Sequence, residues 1–370
     1  MLKVLSVFGT RPEATKMVPL VLAMQAHPQI DSKLCVTAQH RELLDQVLTP
    51  FNITPDYDLN IMSVGQTLTD VTTKVLQGLA PILADAKPDI LLVHGDTTTT
   101  FAASLAAFYA RVSVGHVEAG LRSYDKYRPY PEEINRKLTT AIADLYFAPT
   151  DRSRQNLLKE NIPAETIFVT GNTAIDFISH TVKDNYRFET EALNNLDSTK
   201  RIILMTAHRM ENRGKPMENI CHAVKRLVAD NPDVQLIWPV HPGLAVQEPA
   251  HTILGGQERA LLTEAIGVFD MHNLMKRAHL LLTDSGGLQE ESPSFNLPTV
   301  VLREVTERPE GLAAGTLVLA GVDEDNIYIE ATRLLKDEAA YGKMAAVANP
   351  FGDGKASERI IEALLRWFKK

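Results

Sequence analysis

Short apolar runs rich in β-branched residues alternate along this chain with longer, helix-patterned stretches, and they do so in two successive sets. A strand buried on both faces reads as a continuous apolar run, so this alternation points to βαβ units and parallel sheets. The first set predicts strands over Val4–Phe8, Lys33–Thr37, Ile90–His94, Ser113–Val117, Leu145–Ala148 and Ile167–Thr170. The second predicts Ile202–Thr206, Gln235–Pro239, Leu280–Thr283, Thr299–Leu302 and Thr316–Leu319. Helical patterns fall between them, among them Thr15–Ala26, Arg41–Leu48, Leu68–Ala84, Thr100–Tyr109, Pro131–Ile142 and Glu218–Asp230. At 370 residues the chain is long for one compact domain and comfortable for two. The expected fold class is therefore α/β, with two doubly wound Rossmann-like lobes. Residues 1–170 form the first and 171–355 the second, and the turn-rich NNLDSTK at 194–200 is the expected junction into the second set of strands. A last helix, within 356–370, either ends the second lobe or packs back on the first.

Charge and cysteine usage exclude several functions. The formal net charge is −8 with no basic block, which speaks against nucleic acid or an anionic membrane surface as the main partner. Two cysteines, Cys35 and Cys221, are too few for a disulfide framework or a cysteine metal cluster. The opening MLKVLSVFGTRPE is strand-like rather than a signal peptide, and no apolar stretch approaches the roughly 20 residues of a membrane span. A cytoplasmic protein is expected.

In open parallel sheets ligands sit beyond the carboxyl ends of the strands, so the residues just after each strand are the ones to read. The first lobe offers Arg11 and Lys16 in GTRPEATK, Asp96 in HGDTTTT, and Glu118 in GHVEAGLRS. The second offers His208 and Arg209 in AHRMEN, His241 in VHPG, DSGGLQEE at 284–291, and Arg303 and Arg308 in REVTERPEG. The glycine pair in DSGGLQEE lets backbone N–H groups approach an anion at a helix start. It fits equally a tight turn capped by Asp284 or Ser285. Arg11, His208 and Arg308 favour a phosphate site. Asp96 fits both an N-cap for the helix that follows and a site carboxylate. Glu118 stands in a poor capping context, with a salt bridge to Arg122 as its structural alternative. Glu132 and Glu133 open a helix, where acidic residues also favour the dipole. Several carboxylates on one rim suit acid–base work, because repulsion and burial separate their pKa values. His116 reads as a buried strand histidine, and His40 and Arg41 are either surface residues or part of a site. His272 and the remaining histidines belong to no constellation. Neither G-x-G-x-x-G nor G-x-x-x-x-G-K-[ST] is present, and no metal-ligand spacing persuades.

With these blocks in view, the chain closely resembles the non-hydrolysing UDP-N-acetylglucosamine 2-epimerases. FGTRPEATK, TAQHRELLDQVL, KPDILLVHGDTTTTFAASLAAFY, VGHVEAGLRS, PEEINR, TGNTAID, HRMEN, LTDSGGLQEE, TERPEGLAAGT and NPFGDGKAS carry the resemblance over nearly the whole length. It implies the GT-B glycosyltransferase-like fold, with two lobes facing across a cleft. It also implies a homodimer that works on a UDP-sugar without a cofactor or metal. The implied reaction eliminates UDP to give 2-acetamidoglucal and adds it back with C2 protonated from the other face, supplying activated ManNAc for surface polysaccharide. By motif match, Asp96, Glu118 and Glu132 are the acid–base carboxylates, with His208 beside them. Arg11, His208, Ser285, Gly286, Gly287 and Glu291 would hold the diphosphate and ribose, with Lys16 and Arg308 completing the site. Gln39, Glu133, Arg209 and His241 would lie near a second, activating UDP-GlcNAc site, where activated members carry other residues at Glu42 and Gly65.

The chain departs from the family pattern in places. Ile266 and Met271 stand where relatives place a base-holding glutamine and phenylalanine, with Phe269 close by. Met210 replaces the second arginine of HRREN, and HPG at 241–243 replaces HLNP. The rival readings are a hydrolysing epimerase, an epimerase for a diacetamido uronic-acid sugar, a glycosyltransferase of the same architecture, and a silent nucleotide-sugar sensor. Retention of all three carboxylates argues against the sensor.

Overall fold

The computed structural model describes residues 1–39 and 41–369. Its chain divides into two compact units, Met1–Phe177 with the segment from Gly352 onward, and Ile178–Phe351.

The N-terminal stretch contributes strands β1 (Leu2–Phe8), β2 (Ile30–Val36), β3 (Tyr57–Asp58), β4 (Ile90–His94), β5 (Ser113–Val117), β6 (Leu145–Ala148) and β7 (Ile167–Val169). Helices α1 (Arg11–Gln25), α2 (Arg41–Leu48), α3 (Leu68–Ala86), α4 (Thr98–Tyr109), α5 (Glu132–Ile142), α6 (Asp151–Lys159) and α7 (Thr173–Thr181) alternate with them. The sheet is parallel, in the order β3-β2-β1-β4-β5-β6-β7. Strand β4 is buried along its whole length, which is why ILLVH reads as an unbroken apolar run. The chain order reverses between β1 and β4, where Val4 pairs with Ile90 and Ser6 with Leu92. That switch point opens a crevice at the strands' carboxyl ends.

The second unit repeats the plan with β8 (Arg201–Thr206), β9 (Val234–Pro239), β10 (Ala260–Thr263), β11 (Leu280–Thr283), β12 (Thr299–Val301) and β13 (Leu317–Leu319). Its helices are α8 (Lys215–Asp230), α9 (Leu244–Leu254), α10 (Val268–Arg277), α11 (Gly286–Glu291), α12 (Pro309–Ala314), α13 (Glu324–Lys336) and α14 (Glu338–Ala345). The order β10-β9-β8-β11-β12-β13 places the switch point between β8 and β11. There the Thr206 and Thr283 hydroxyls meet at 2.6 Å.

Finally α15 (Ala356–Phe368) packs against α1 of the first unit. Its N-terminus is anchored by Asp176, whose carboxylate accepts from the backbone N–H of Ala356 at 3.1 Å and Ser357 at 2.7 Å.

The expected α/β class with two parallel sheets is what the chain forms. The junction is not where NNLDSTK suggested: the units part within α7, between Phe177 and Ile178. The physical reason is that the turn-rich segment already belongs to the second unit. Phe188 and Leu193 are buried in that unit's core. The stretch leading into that segment is held by the buried Asp270 carboxylate, which accepts from the Tyr186 hydroxyl and the backbone N–H groups of Glu189 and Thr190. Strands β3 and β10 join the expected set as half-exposed edge strands.

Candidate active site

In the first unit, the turns after β1 and β4 are tied together by one buried carboxylate. Glu13 Oε2 accepts from the backbone N–H of Gly9 at 3.1 Å and of Thr10 at 2.9 Å. Its Oε1 accepts from the Thr97 hydroxyl at 2.7 Å and the Thr100 hydroxyl at 3.2 Å. Burial raises the Glu13 pKa in spite of those donors. Thr97 is the N-cap of α4, accepting from the Thr100 N–H at 3.1 Å. Asp96 therefore does not cap the helix, contrary to that sequence alternative, because Thr97 already does so. Asp96 is instead gripped from α5: Arg136 donates from Nε at 2.9 Å and Nη2 at 2.6 Å to its Oδ2. Asn135 Nδ2 holds the Asp96 backbone carbonyl at 2.9 Å.

Glu118 follows β5 with a backbone φ of +63°, the left-handed region that a residue with a Cβ seldom occupies. The turn aims its carboxylate back at Gly95: a Cβ on that glycine would stand 3.4 Å from Glu118 Oε2. Lys16 Nζ and, at 3.0 Å, Asn172 Nδ2 both donate to Oε1. His94 Nε2 lies 3.8 Å from Oε2 and is buried without a hydrogen-bond partner among the described residues. Burial pushes the His94 imidazole down to about 3 and that of His116 down to about 4. His116 is the buried strand histidine expected of it, its Nε2–H donating to the Gly95 carbonyl at 2.7 Å. The expected Glu118–Arg122 alternative is corrected: Arg122 forks onto Glu160, at 2.8 and 2.7 Å. Arg11 opens α1 and is exposed.

Glu132, the first residue of α5, has its Oε2 buried with no hydrogen-bond partner among the described residues. Native structures leave few such groups, and each calls for a functional or structural account. Glu133, expected beside an effector site, is instead fully buried. It accepts from the N–H groups of Ser123 and Tyr124, each at 3.0 Å, and from Arg136 at 3.1 Å. Burial opposes its ionisation, yet these donors hold its pKa below the ordinary value. One guanidinium thus joins Asp96 to the helix that starts with Glu132. Gln39 sits at the same end of the sheet, its Oε1 accepting from Thr99 at 3.3 Å. His40 lies outside the described residues.

In the second unit, Asp284 organises the turn after β8. It is fully buried, and its Oδ2 accepts from the N–H groups of His208 and Arg209, each at 2.8 Å, and from Asn212 Nδ2 at 3.0 Å. His208 Nδ1 stands 3.3 Å from the other oxygen, and its ring stacks on His241 at 5.7 Å between centroids. Burial lowers the His208 pKa, against the pull of the Asp284 carboxylate. Neither Asp284 nor Ser285 caps α11: Asp284 is spent on the 208–212 turn, and the Ser285 side chain makes no capping bond. The capping alternative for DSGGLQEE thus fails. Two guanidinium groups stand over the glycines, with a Cβ on Gly286 lying 3.5 Å from Arg308 Nη2 and 3.7 Å from Arg209 Nη2. Arg308 Nε is steadied by the buried Glu290. Its loop is braced by Arg303, which forks onto Glu307 at 2.6 and 3.1 Å and reaches Glu211 at 3.0 Å. Burial works against the Glu307 charge, but the Arg303 fork prevails and holds its pKa down to about 2. Glu291 Oε2 is 3.3 Å from His272 Nε2, and His272 Nδ1 is 2.6 Å from the Thr181 hydroxyl. Ile266 and Met271 are half-buried apolar residues packed on the core that contains Leu274 and Leu281, and neither offers a base a hydrogen-bonding group.

Arg136, Asn172, His94 and His272 are the contacts that sequence reasoning passed over. Arg136 and Asn172 lie inside the blocks PEEINR and TGNTAID, so their presence was visible and only their partners were hidden. Among the described residues no three His, Cys, Asp or Glu side chains are grouped to hold a metal ion. The arrangement offers acid–base carboxylates at one switch point. At the other it offers an uncapped glycine turn under cations, suited to an anionic group.

The family model described as UDP-N-acetylglucosamine 2-epimerase matches residues 22–365. The UDP-N-acetylglucosamine 2-epimerase of Bacillus subtilis is 57% identical over 364 residues, which span 98% of this chain and 95% of that protein. The crystal structure of a putative UDP-N-acetylglucosamine 2-epimerase from Listeria monocytogenes superposes with a TM-score of 0.94 at 50% identity, covering 100% of this chain and 97% of the other. That of the UDP-GlcNAc 2-epimerase from Neisseria meningitidis bound to UDP-GlcNAc does so with 0.89 at 47% identity, covering 99% and 100%.

Proposed function

The chain belongs to the UDP-N-acetylglucosamine 2-epimerase family, and on that premise we propose that it interconverts UDP-N-acetylglucosamine and UDP-N-acetylmannosamine. A carboxylate removes the proton from C2 while the C1–O bond to UDP breaks. The C2–H electron pair becomes a C1=C2 double bond, and the C1–O pair leaves with the diphosphate. The resulting 2-acetamidoglucal then takes UDP back at C1 as a second carboxyl group protonates C2 from the opposite face. Bonds made and broken cancel, so no oxidant or co-reactant is consumed.

What carries this reading is the meeting of Asp96, Glu118 and the α5 helix of Glu132 at one switch point. Work on opposite faces of one carbon needs at least two acid–base groups, and Glu132 carries a buried carboxylate oxygen that no described residue satisfies. In the second unit, His208, Arg209, Arg308 and the turn Ser285-Gly286-Gly287 would hold the diphosphate. A leaving group whose charge grows in the transition state gains most from such preplaced donors. Arg11 and Lys16 belong to the same machinery, Lys16 through its hold on Glu118.

A homodimer accompanies this reading. Phe108 and Tyr109 on α4 and Leu138 on α5 are exposed apolar side chains on two helices packed together. A cytoplasmic location goes with a nucleotide-sugar substrate, and among the described residues no helix is long and apolar enough to cross a membrane. Activation by a second UDP-GlcNAc is part of the same proposal. A hyperbolic reverse rate that needs no UDP-GlcNAc rejects that part.

The deciding experiment is proton NMR of UDP-N-acetylglucosamine with the enzyme in D2O. UDP-N-acetylmannosamine carrying deuterium at C2 is expected. Free ManNAc with UDP would replace the reading by hydrolysis, and an unchanged substrate with folded protein would overturn it.

A further inference from the structure

His272 is a histidine buried to 1% exposure with both ring nitrogens engaged in one line, Thr181–His272–Glu291. An apolar residue would serve packing alone at this position on α10, where the ring lies 6.0 Å from that of Phe295. We propose that His272 is the positioning residue that makes Glu291 a reader of the ribose 2′-hydroxyl, so that this line decides between UDP and its 2′-deoxy counterpart. The inference rests on the reading of the second unit as the UDP-binding one, with Glu291 at the ribose.

The tautomer follows from the neighbours. A carboxylate only accepts hydrogen bonds, so Nε2 must carry the proton it gives to Glu291. With that proton on Nε2, Nδ1 is an acceptor, and the Thr181 hydroxyl faces it at 2.6 Å, closer than the Ile178 carbonyl that the same hydroxyl reaches at 3.1 Å. The line thus runs hydroxyl to imidazole to carboxylate. It fixes Oε2 and leaves Oε1 on the side of Gly287, whose Cβ position is 3.9 Å from it. The glycine turn proposed for the diphosphate and the free lone pairs of Glu291 therefore share one face of α11. A ribose hydroxyl following the diphosphate would donate to Oε1. A deoxyribose would leave that half-buried acceptor unpaired, and a held acceptor cannot swing away to find water. Without His272 the carboxylate can turn and hydrate, and the penalty against deoxyribose falls.

The test is calorimetric titration of UDP and 2′-deoxy-UDP into the full chain and four variants. The wild type is expected to prefer UDP by about tenfold or more, the scale of a lost hydrogen bond to a charged acceptor. Glu291→Ala should bring the two affinities together. His272→Phe and the isosteric Thr181→Val should each shrink the preference at least threefold, while Thr181→Ser retains it. A merely structural role would weaken both ligands equally. An unchanged preference in His272→Phe and Thr181→Val, beside its loss in Glu291→Ala, overturns the role of His272 and leaves the ribose reading standing. Should His272→Phe fail to fold, Thr181→Val alone decides. No preference in the wild type, or one indifferent to Glu291→Ala, overturns the ribose reading and the inference with it.

Discussion

Arg136 sets two guanidinium nitrogens on a single oxygen of Asp96, Nε at 2.9 Å and Nη2 at 2.6 Å from Oδ2. The other oxygen, Oδ1, has no hydrogen-bond partner among the described residues and is the one that the proposed reaction would use. Arg136→Lys keeps the charge but loses the fork, so it should lower kcat by about tenfold to a hundredfold through misorientation, with KM little changed. Asp96→Asn should fold and bind UDP yet lose about a hundredfold or more in turnover. Steady-state kinetics beside UDP titration checks both, and unaltered turnover in Asp96→Asn removes the carboxylate from the mechanism.

Glu132 separates stability from activity. A buried carboxylate oxygen without a partner costs free energy, and an uncharged amide of the same shape costs less. Glu132→Gln is therefore expected to be as stable as the wild type or more stable by about 1 kcal/mol in urea unfolding, while turnover drops about a hundredfold or more. A variant that loses stability and keeps turnover would make Glu132 a structural residue.

The two buried histidines predict an acid limb. His94 is held down to about 3 and His116 to about 4 by burial, whereas the unfolded chain titrates them near 6.5. Between those values the unfolded chain binds protons that the folded one refuses, so stability rises with pH there and is lost as pH falls from 6.5. At pH 5 each histidine accounts for about 2 kcal/mol of that loss. His94→Gln should shrink the stability gap between pH 7 and pH 5 by about that amount in denaturant titrations, and an undiminished gap would refute the assignment.

Gly286 has room for a methyl group but no chemical tolerance for one. A Cβ there meets Arg308 and Arg209 at ordinary contact distances of 3.5 and 3.7 Å, so Gly286→Ala should fold normally. The methyl group would fill the space between the two guanidiniums and the turn. UDP affinity is expected to fall about tenfold or more, with Tm nearly unchanged. Intact affinity would move the diphosphate elsewhere.

Legibility in the sequence followed burial and chain distance. Strands such as β4 were visible because both faces are buried, whereas β10 is half-exposed along its length and carries no such run. Helix starts were read late: α4 begins at Thr98 and α8 at Lys215, where polar or proline-bearing first turns carry no apolar period. The carboxylates could be found because each follows a strand or opens a helix. Their partners could not, since Arg136 reaches Asp96 across 40 positions, Asn172 reaches Glu118 across 54, and Thr181 reaches His272 across 91. Asp96 looked like a cap because the residue that caps, Thr97, is its neighbour.

Glu118 bends its backbone into a conformation that glycine or asparagine adopts at less cost, by about 1 kcal/mol. With the role proposed for Glu118, position 118 is thus a place where selection for folding and selection for turnover favour different residues. A mutant library ranked only by soluble yield or heat tolerance would enrich glycine or asparagine there and collect well-behaved, inactive protein. Stabilisation of this chain by evolution in the laboratory therefore has to be scored with the sugar nucleotide turning over.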